Sequence, residues 1–113
     1  MRKHATVLVE GDSMEPTFSD GDWLMARWDS YGLRTAWWQL GNRVKVDDVV
    51  VIERAEQPGI FYVKRISDIN SDEYKVFVRS DNEAGTDSRT WGWLPGFYIK
   101  AKVISRVRKS KKK

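Results

Sequence analysis

The feature that most constrains this chain is its rhythm. Short runs rich in Val, Ile, Thr and aromatic residues alternate with clusters of Gly, Pro, Asp and Asn, and no run is long enough for a helical core. Runs of four to eight such residues, closed by turn-forming residues, are the signature of strands. The expected strands cover 5–10, 23–28, 44–53, 60–67, 74–79 and 97–106. Asp20-Gly21-Asp22, Gln57-Pro58-Gly59 and the polar stretch 68–72 read as turns, and 81–88 as a loop. Residues 29–43, with Tyr31, Trp37 and Trp38 among polar neighbours, read as a hairpin or protruding loop. Regularly punctuated strands of this kind predict an all-β domain. At 113 residues it is expected to be a single domain over 1–105, followed by a basic tail over 106–113.

Composition narrows the chemistry. The chain has no cysteine, which excludes disulfides, thiol nucleophiles and Cys-based metal sites. The one histidine, His4, sits near the N-terminus, so neither a histidine-based triad nor a histidine-rich metal centre is expected, and no metal or cofactor is. Nucleophilic chemistry here would need Lys, Asp or Glu as its base. The net charge of +4 is uneven: the last eight residues hold six cations, and without them 14 basic residues face 16 acidic ones. Such a tail is either solvated or a weak contact for an anionic membrane surface. No apolar run approaches the roughly eighteen residues of a membrane span, and the N-terminus lacks the apolar stretch of a secretory signal. The expected location is therefore the cytoplasm or the periphery of a membrane.

Three segments could carry chemistry. Ser13 follows a strand on the Gly-flanked turn Gly11-Asp12-Ser13-Met14-Glu15-Pro16-Thr17, where its hydroxyl and nearby N–H groups can be exposed toward a developing oxyanion. A serine in a turn is equally a capping residue. In Ile60-Phe61-Tyr62-Val63-Lys64-Arg65-Ile66, the period of two places Lys64 on one face with Ile60, Tyr62 and Ile66, where desolvation would lower its pKa. A lysine that snorkels to water from an edge strand would show the same pattern. Finally, Asp87 and Arg89 close the loop that starts at Ser80, near enough to form an ion pair.

Taken together and in order, these segments resemble the boxes of type I signal peptidases. Ser13-Met14-Glu15-Pro16-Thr17 is similar to the family's nucleophile box, Val63-Lys64-Arg65-Ile66 to the box of its lysine base, and Asp47-Asp48-Val49-Val50 to the weaker box between. Asp81-Asn82, Asp87-Ser88-Arg89, Trp91-Gly92 and Leu94-Pro95 are similar to the last box. The resemblance implies a small β-barrel or coiled-sheet core and a Ser-Lys dyad. In it Ser13 is the nucleophile, Lys64 the general base and the Ser13 N–H an oxyanion donor. Met14 lines the substrate pocket, and Arg65, Thr86, Asp87 and Arg89 support the site.

The implied substrate is a precursor protein or peptide cut after a small residue, with no nucleic acid as partner. The family's N-terminal membrane-spanning helix is not in this sequence, which is therefore expected to be either a small soluble member, such as those that resemble the maturation protease of nickel-type superoxide dismutase, or a core trimmed of that helix. Self-cleaving repressor proteases carry a similar Gly-Asp-Ser-Met segment, but would also need a cleavable linker and a DNA-binding segment. A β module that binds lipid or nucleic acid through its tryptophans and tail is the non-enzymatic alternative.

Two departures from the family pattern bear on the site. Gly11 stands where many members have a serine that donates to the oxyanion. Gly85 stands where a serine often orients the lysine, and Thr86 is the expected substitute.

Overall fold

The structure, a computed structural model, describes residues 3–28 and 44–109. The expectations for the segment 29–43 and for the end of the tail fall outside the described residues. The chain is mostly β, as the punctuated sequence predicts. Its strands are β1 (Lys3–Leu8), β2 (Trp23–Trp28), β3 (Val49–Glu53), β4 (Phe61–Asn70), β5 (Lys75–Arg79), β6 (Leu94–Pro95) and β7 (Ile99–Arg108). They form one curled, antiparallel sheet in the order β1-β2-β7-β3-β4-β5-β6.

Burial follows the period of two. In β2, Leu24 and Ala26 are fully buried while their neighbours are not. In β5, Val76 and Val78 point inward. The central strand β3 is buried on both faces. Its Val50 and Ile52 join a larger cluster with Ile66, Val76, Val78, Leu94 and Ile99, while Val51 packs with Ala26 and Ala101 on the other face. Register shifts in the β2–β7, β3–β7 and β4–β5 pairs interrupt the ladders. Such irregularities bend a strand and raise its twist, which helps a sheet to curl.

Several local expectations needed revision, among them the strand expected from Phe97, which starts at Ile99 after a 3-10 turn over Gly96–Tyr98. The stretch 68–70 is not a turn: β4 continues through it, with Ile69 opposite Val76 and Asn70 opposite Lys75. The reversal comes at 71–74, where Tyr74 takes a positive φ of 58°. The strand expected from Val44 begins only at Val49, because Asp47 has a φ of 80° and Asp48 caps the turn by accepting from the Lys45 N–H. A short helix, α1 (Ser88–Trp91), ends the expected loop, capped by Asp87, whose carboxylate accepts from the Arg89 N–H.

Candidate active site

Lys64 is set by β4. Its neighbours on the strand divide as alternation requires: Val63 joins the smaller cluster, and Ile66 and Tyr62 the larger. Ile60 precedes the strand and is exposed, so it is not part of the apolar face expected around the lysine. Lys64 itself is only 2% exposed. Its amine lies over the rings of Tyr62 and Trp91, at 5.5 and 5.9 Å from their centroids. Among the described residues no carboxylate forms an ion pair with it. Burial pushes its pKa down, and the more distant charge of Asp87 only partly opposes this, with Arg89 pushing in the same direction as burial.

The amine donates to Ser80 Oγ at 2.9 Å. Ser80 was not among the residues singled out from sequence. The signal lies in the strand register. Arg65 faces Arg79 and Ile66 faces Val78, so one step further brings position 64 opposite position 80 on the same face. The Ser80 hydroxyl in turn reaches the Thr86 carbonyl at 3.4 Å, a long contact, and its N–H donates to Asp87 Oδ2 at 2.7 Å. Thr86 therefore approaches the site through its backbone.

Ser13 is set by a different kind of structure. It sits in a turn between β1 and β2, half-buried, with no hydrogen bond from its hydroxyl or its N–H to any described residue. The turn is tied at both ends: Gly11 N–H donates to Asp20 Oδ1, and Ser19 N–H to the buried Asp22. It is also tied across the molecule. Asn82 N–H donates to the Ser13 carbonyl at 2.9 Å, and its side-chain amide donates to the Asp12 carbonyl at 3.1 Å. Asp81 links to Thr17 and takes a bidentate fork from Arg65, with both contacts at 2.8 Å. Arg65 also donates to the Asp47 carbonyl. The loop at 80–85 thus touches Lys64 with one residue and the Ser13 turn with the next two. Gly85 marks where these meet: an added Cβ there would lie 2.7 Å from Ser80 Cβ and 3.0 Å from Ser13 Cβ.

Behind the site, Asp87 is almost fully buried. Its carboxylate receives Ser80 N–H, Arg89 N–H and two contacts from the Arg89 guanidinium at 3.0 Å. Burial alone would raise its pKa, but these donors outweigh it and hold the carboxyl at about 2. Arg89 also donates to the carbonyls of Glu83 and Gly85, which fastens the loop.

A groove of about 450 Å³ opens beside Ser13. One wall is 7–10 with Ser13 and the buried Met14, and the other is 59–63. Both walls have a free edge among the described residues. β1 is the outermost strand of the sheet, and β4 pairs with β5 only from Arg65 onward. His4 is exposed on β1, in register with Arg27. Among the described residues no group of three or more His, Cys, Asp or Glu could hold a metal ion, and no helix is long and apolar enough to cross a membrane.

The site thus combines a curled antiparallel sheet, a serine turn, a buried lysine and a groove between two strand edges. The family model for signal peptidase, peptidase S26, matches residues 2–73, and the chain belongs to this family of serine peptidases. The match covers Ser13 and Lys64 and ends before Ser80, Asp87 and Arg89. No curated protein matches the chain.

Proposed function

We propose that the protein is a serine endopeptidase with a Ser13–Lys64 dyad that removes an N-terminal segment from a precursor protein. The observation that carries this reading is a buried amine that has no carboxylate partner among the described residues, joined through one loop to a serine whose hydroxyl is unengaged among them. An unpaired ammonium is costly away from water, so burial favours the neutral amine, the form that can act as a base.

An extended substrate lying in the groove can pair with the free edges of both walls, which would hold its scissile carbonyl beside Ser13. Ser13 Oγ attacks the carbonyl carbon while Lys64 Nζ takes the hydroxyl proton. The oxyanion forms beside the Ser13 N–H, which is free to donate. The resulting ammonium returns a proton to the leaving amine, and the C–N bond breaks to leave an ester on Ser13. Lys64, neutral again, then deprotonates a water that hydrolyses the ester. Gly11 supplies no side-chain donor, so the second oxyanion contact must come from elsewhere.

Preference for a small residue before the cut rests on the family resemblance. The test is incubation of the protein with a peptide ending its leader in Ala-x-Ala, with products identified by mass spectrometry. A single cut after the second Ala, absent in Ser13→Ala, is expected. No cleavage, or cleavage that survives Ser13→Ala, would overturn the reading. The precursor of nickel-type superoxide dismutase is the second substrate to assay, given the resemblance to its maturation protease.

A further inference from the structure

Position 85 lies between the two serines of the site. The Gly85 backbone passes so close to Ser80 that an ideal Cβ would fall inside contact distance of both Oγ and Cβ of Ser80, and also of Ser13 Cβ. Real Cβ atoms essentially never come within 3.0 Å of such neighbours. A side chain on residue 85 and the hydroxyl of Ser80 thus compete for one small volume next to Lys64. The geometry points to a single hydroxyl socket that either position could fill but not both, and we infer that Ser80 is the positioning residue of Lys64 only because residue 85 is glycine. This rests on the Ser13–Lys64 reading above.

The direction of the hydrogen bonds says what the socket does. Ser80 Oγ can donate to the Thr86 carbonyl at 3.4 Å, which leaves the oxygen to accept from Lys64 Nζ at 2.9 Å. An acceptor at that place engages an N–H of the amine and leaves the lone pair of the neutral form uncovered. A donor at the same place would cover the lone pair and suppress the base. Ser80 is itself fixed by its N–H on Asp87, and the Arg89 guanidinium grips Asp87 and the Gly85 carbonyl together. One ion pair therefore holds both walls of the socket.

The test uses three variants of the full chain: Ser80→Ala, Gly85→Ser, and the exchange Ser80→Gly with Gly85→Ser. Each is assayed on the Ala-x-Ala peptide, by thermal melting, and by following the Lys64 13Cε resonance through a pH titration. Ser80→Ala, which nearly keeps the volume, should lower kcat by about 10- to 100-fold with KM little changed, since loss of alignment acts on the chemical step. It should also move the Lys64 titration to lower pH, because an acceptor favours the ammonium. Gly85→Ser should lower both kcat and Tm through crowding. The exchange should melt above Gly85→Ser and recover kcat relative to either single variant.

An exchange no better than Gly85→Ser in either measurement would overturn the shared socket. A Ser80→Ala variant within twofold of wild type, with an unmoved Lys64 titration, would overturn the positioning role. The melting and resonance readouts do not need turnover. If wild type cleaves no peptide yet the exchange restores Tm and Ser80→Ala moves the titration, the socket stands and only the enzymatic reading fails.

Discussion

The two halves of the candidate dyad are held in place by different physics. Lys64 is fixed by packing: it stands on a paired strand beside the fully buried Val50 and Ile66, and its amine is out of water. Ser13 is fixed by polar ties: its turn leans on side-chain carboxylates and on Asn82, and much of it is exposed. Packing sets the protonation state of a group, because it controls solvation. Polar ties set only direction, and each contributes about 1 kcal/mol. On the proposed dyad, a site of this design would separate the tuning of the base from the aiming of the nucleophile.

Substitution at either end of the dyad should have the largest effect. Ser13→Ala and Lys64→Met should each reduce kcat/KM by about 10⁴-fold or more, as when a unit of catalytic residues loses one member. Their stabilities should diverge. Lys64→Met replaces a buried amine by an apolar chain of similar length, so its Tm should equal or exceed that of wild type. Lys64→Arg should be just as inactive and should melt below wild type, since a guanidinium keeps its charge in a site that excludes water. An active arginine variant, or a methionine variant much less stable than wild type, would break the contrast between packing and polar ties.

The pH profile sharpens the same point. If burial sets the base, kcat/KM should rise toward mildly alkaline pH along one limb below the ordinary lysine value, with no inflection near the histidine value of about 6.5. A plateau already reached in acid would show that the titrating base is a carboxylate.

On the polar side, Asn82→Ala removes the amide contact to Asp12 while keeping the backbone bond to Ser13. It should cost about tenfold in kcat and shift Tm by no more than a few degrees. Equal losses in stability and activity would mean that the loop is part of the packed frame after all.

The last prediction concerns Asp87, whose charge should show in acid. Its folded pKa of about 2 lies below the unfolded value near 3.9. Its contribution is present above pH 4 and is lost as pH falls toward 2, on the order of 2 kcal/mol. Urea titrations from pH 6 to 2 should show this loss in wild type, and Asp87→Asn, weaker throughout, should lack that part of the acid dependence.

Much of this was legible from sequence because strands advertise themselves by alternation. β2 spans the residues expected of it, and Lys64 occupies the inward face that period two assigns. Errors arose where pairing overrode composition. The polar residues 68–70 stay in β4 because β5 supplies partners for them. Helix α1 is only one turn long, too short for an amphipathic period, and its sole sign was the capping Asp87. Ser80 was passed over because its contact with Lys64 spans sixteen residues and depends on the β4–β5 register. The departure at Gly85 was visible, but its complement was not, since a backbone passing another residue leaves no mark in composition.

The buried amine has one consequence outside turnover. In the unfolded chain Lys64 is an ordinary lysine, whereas burial in the folded state weakens its hold on the proton. Between the two pKa values folding is therefore a proton-releasing reaction, and a weakly buffered solution should acidify as the chain folds. By the same linkage the folded state gains on the unfolded one as pH rises through that window, and gives the gain back as pH falls. Folding and the loosening of that proton would thus be a single event: the burial that closes over the lysine also lowers its pKa.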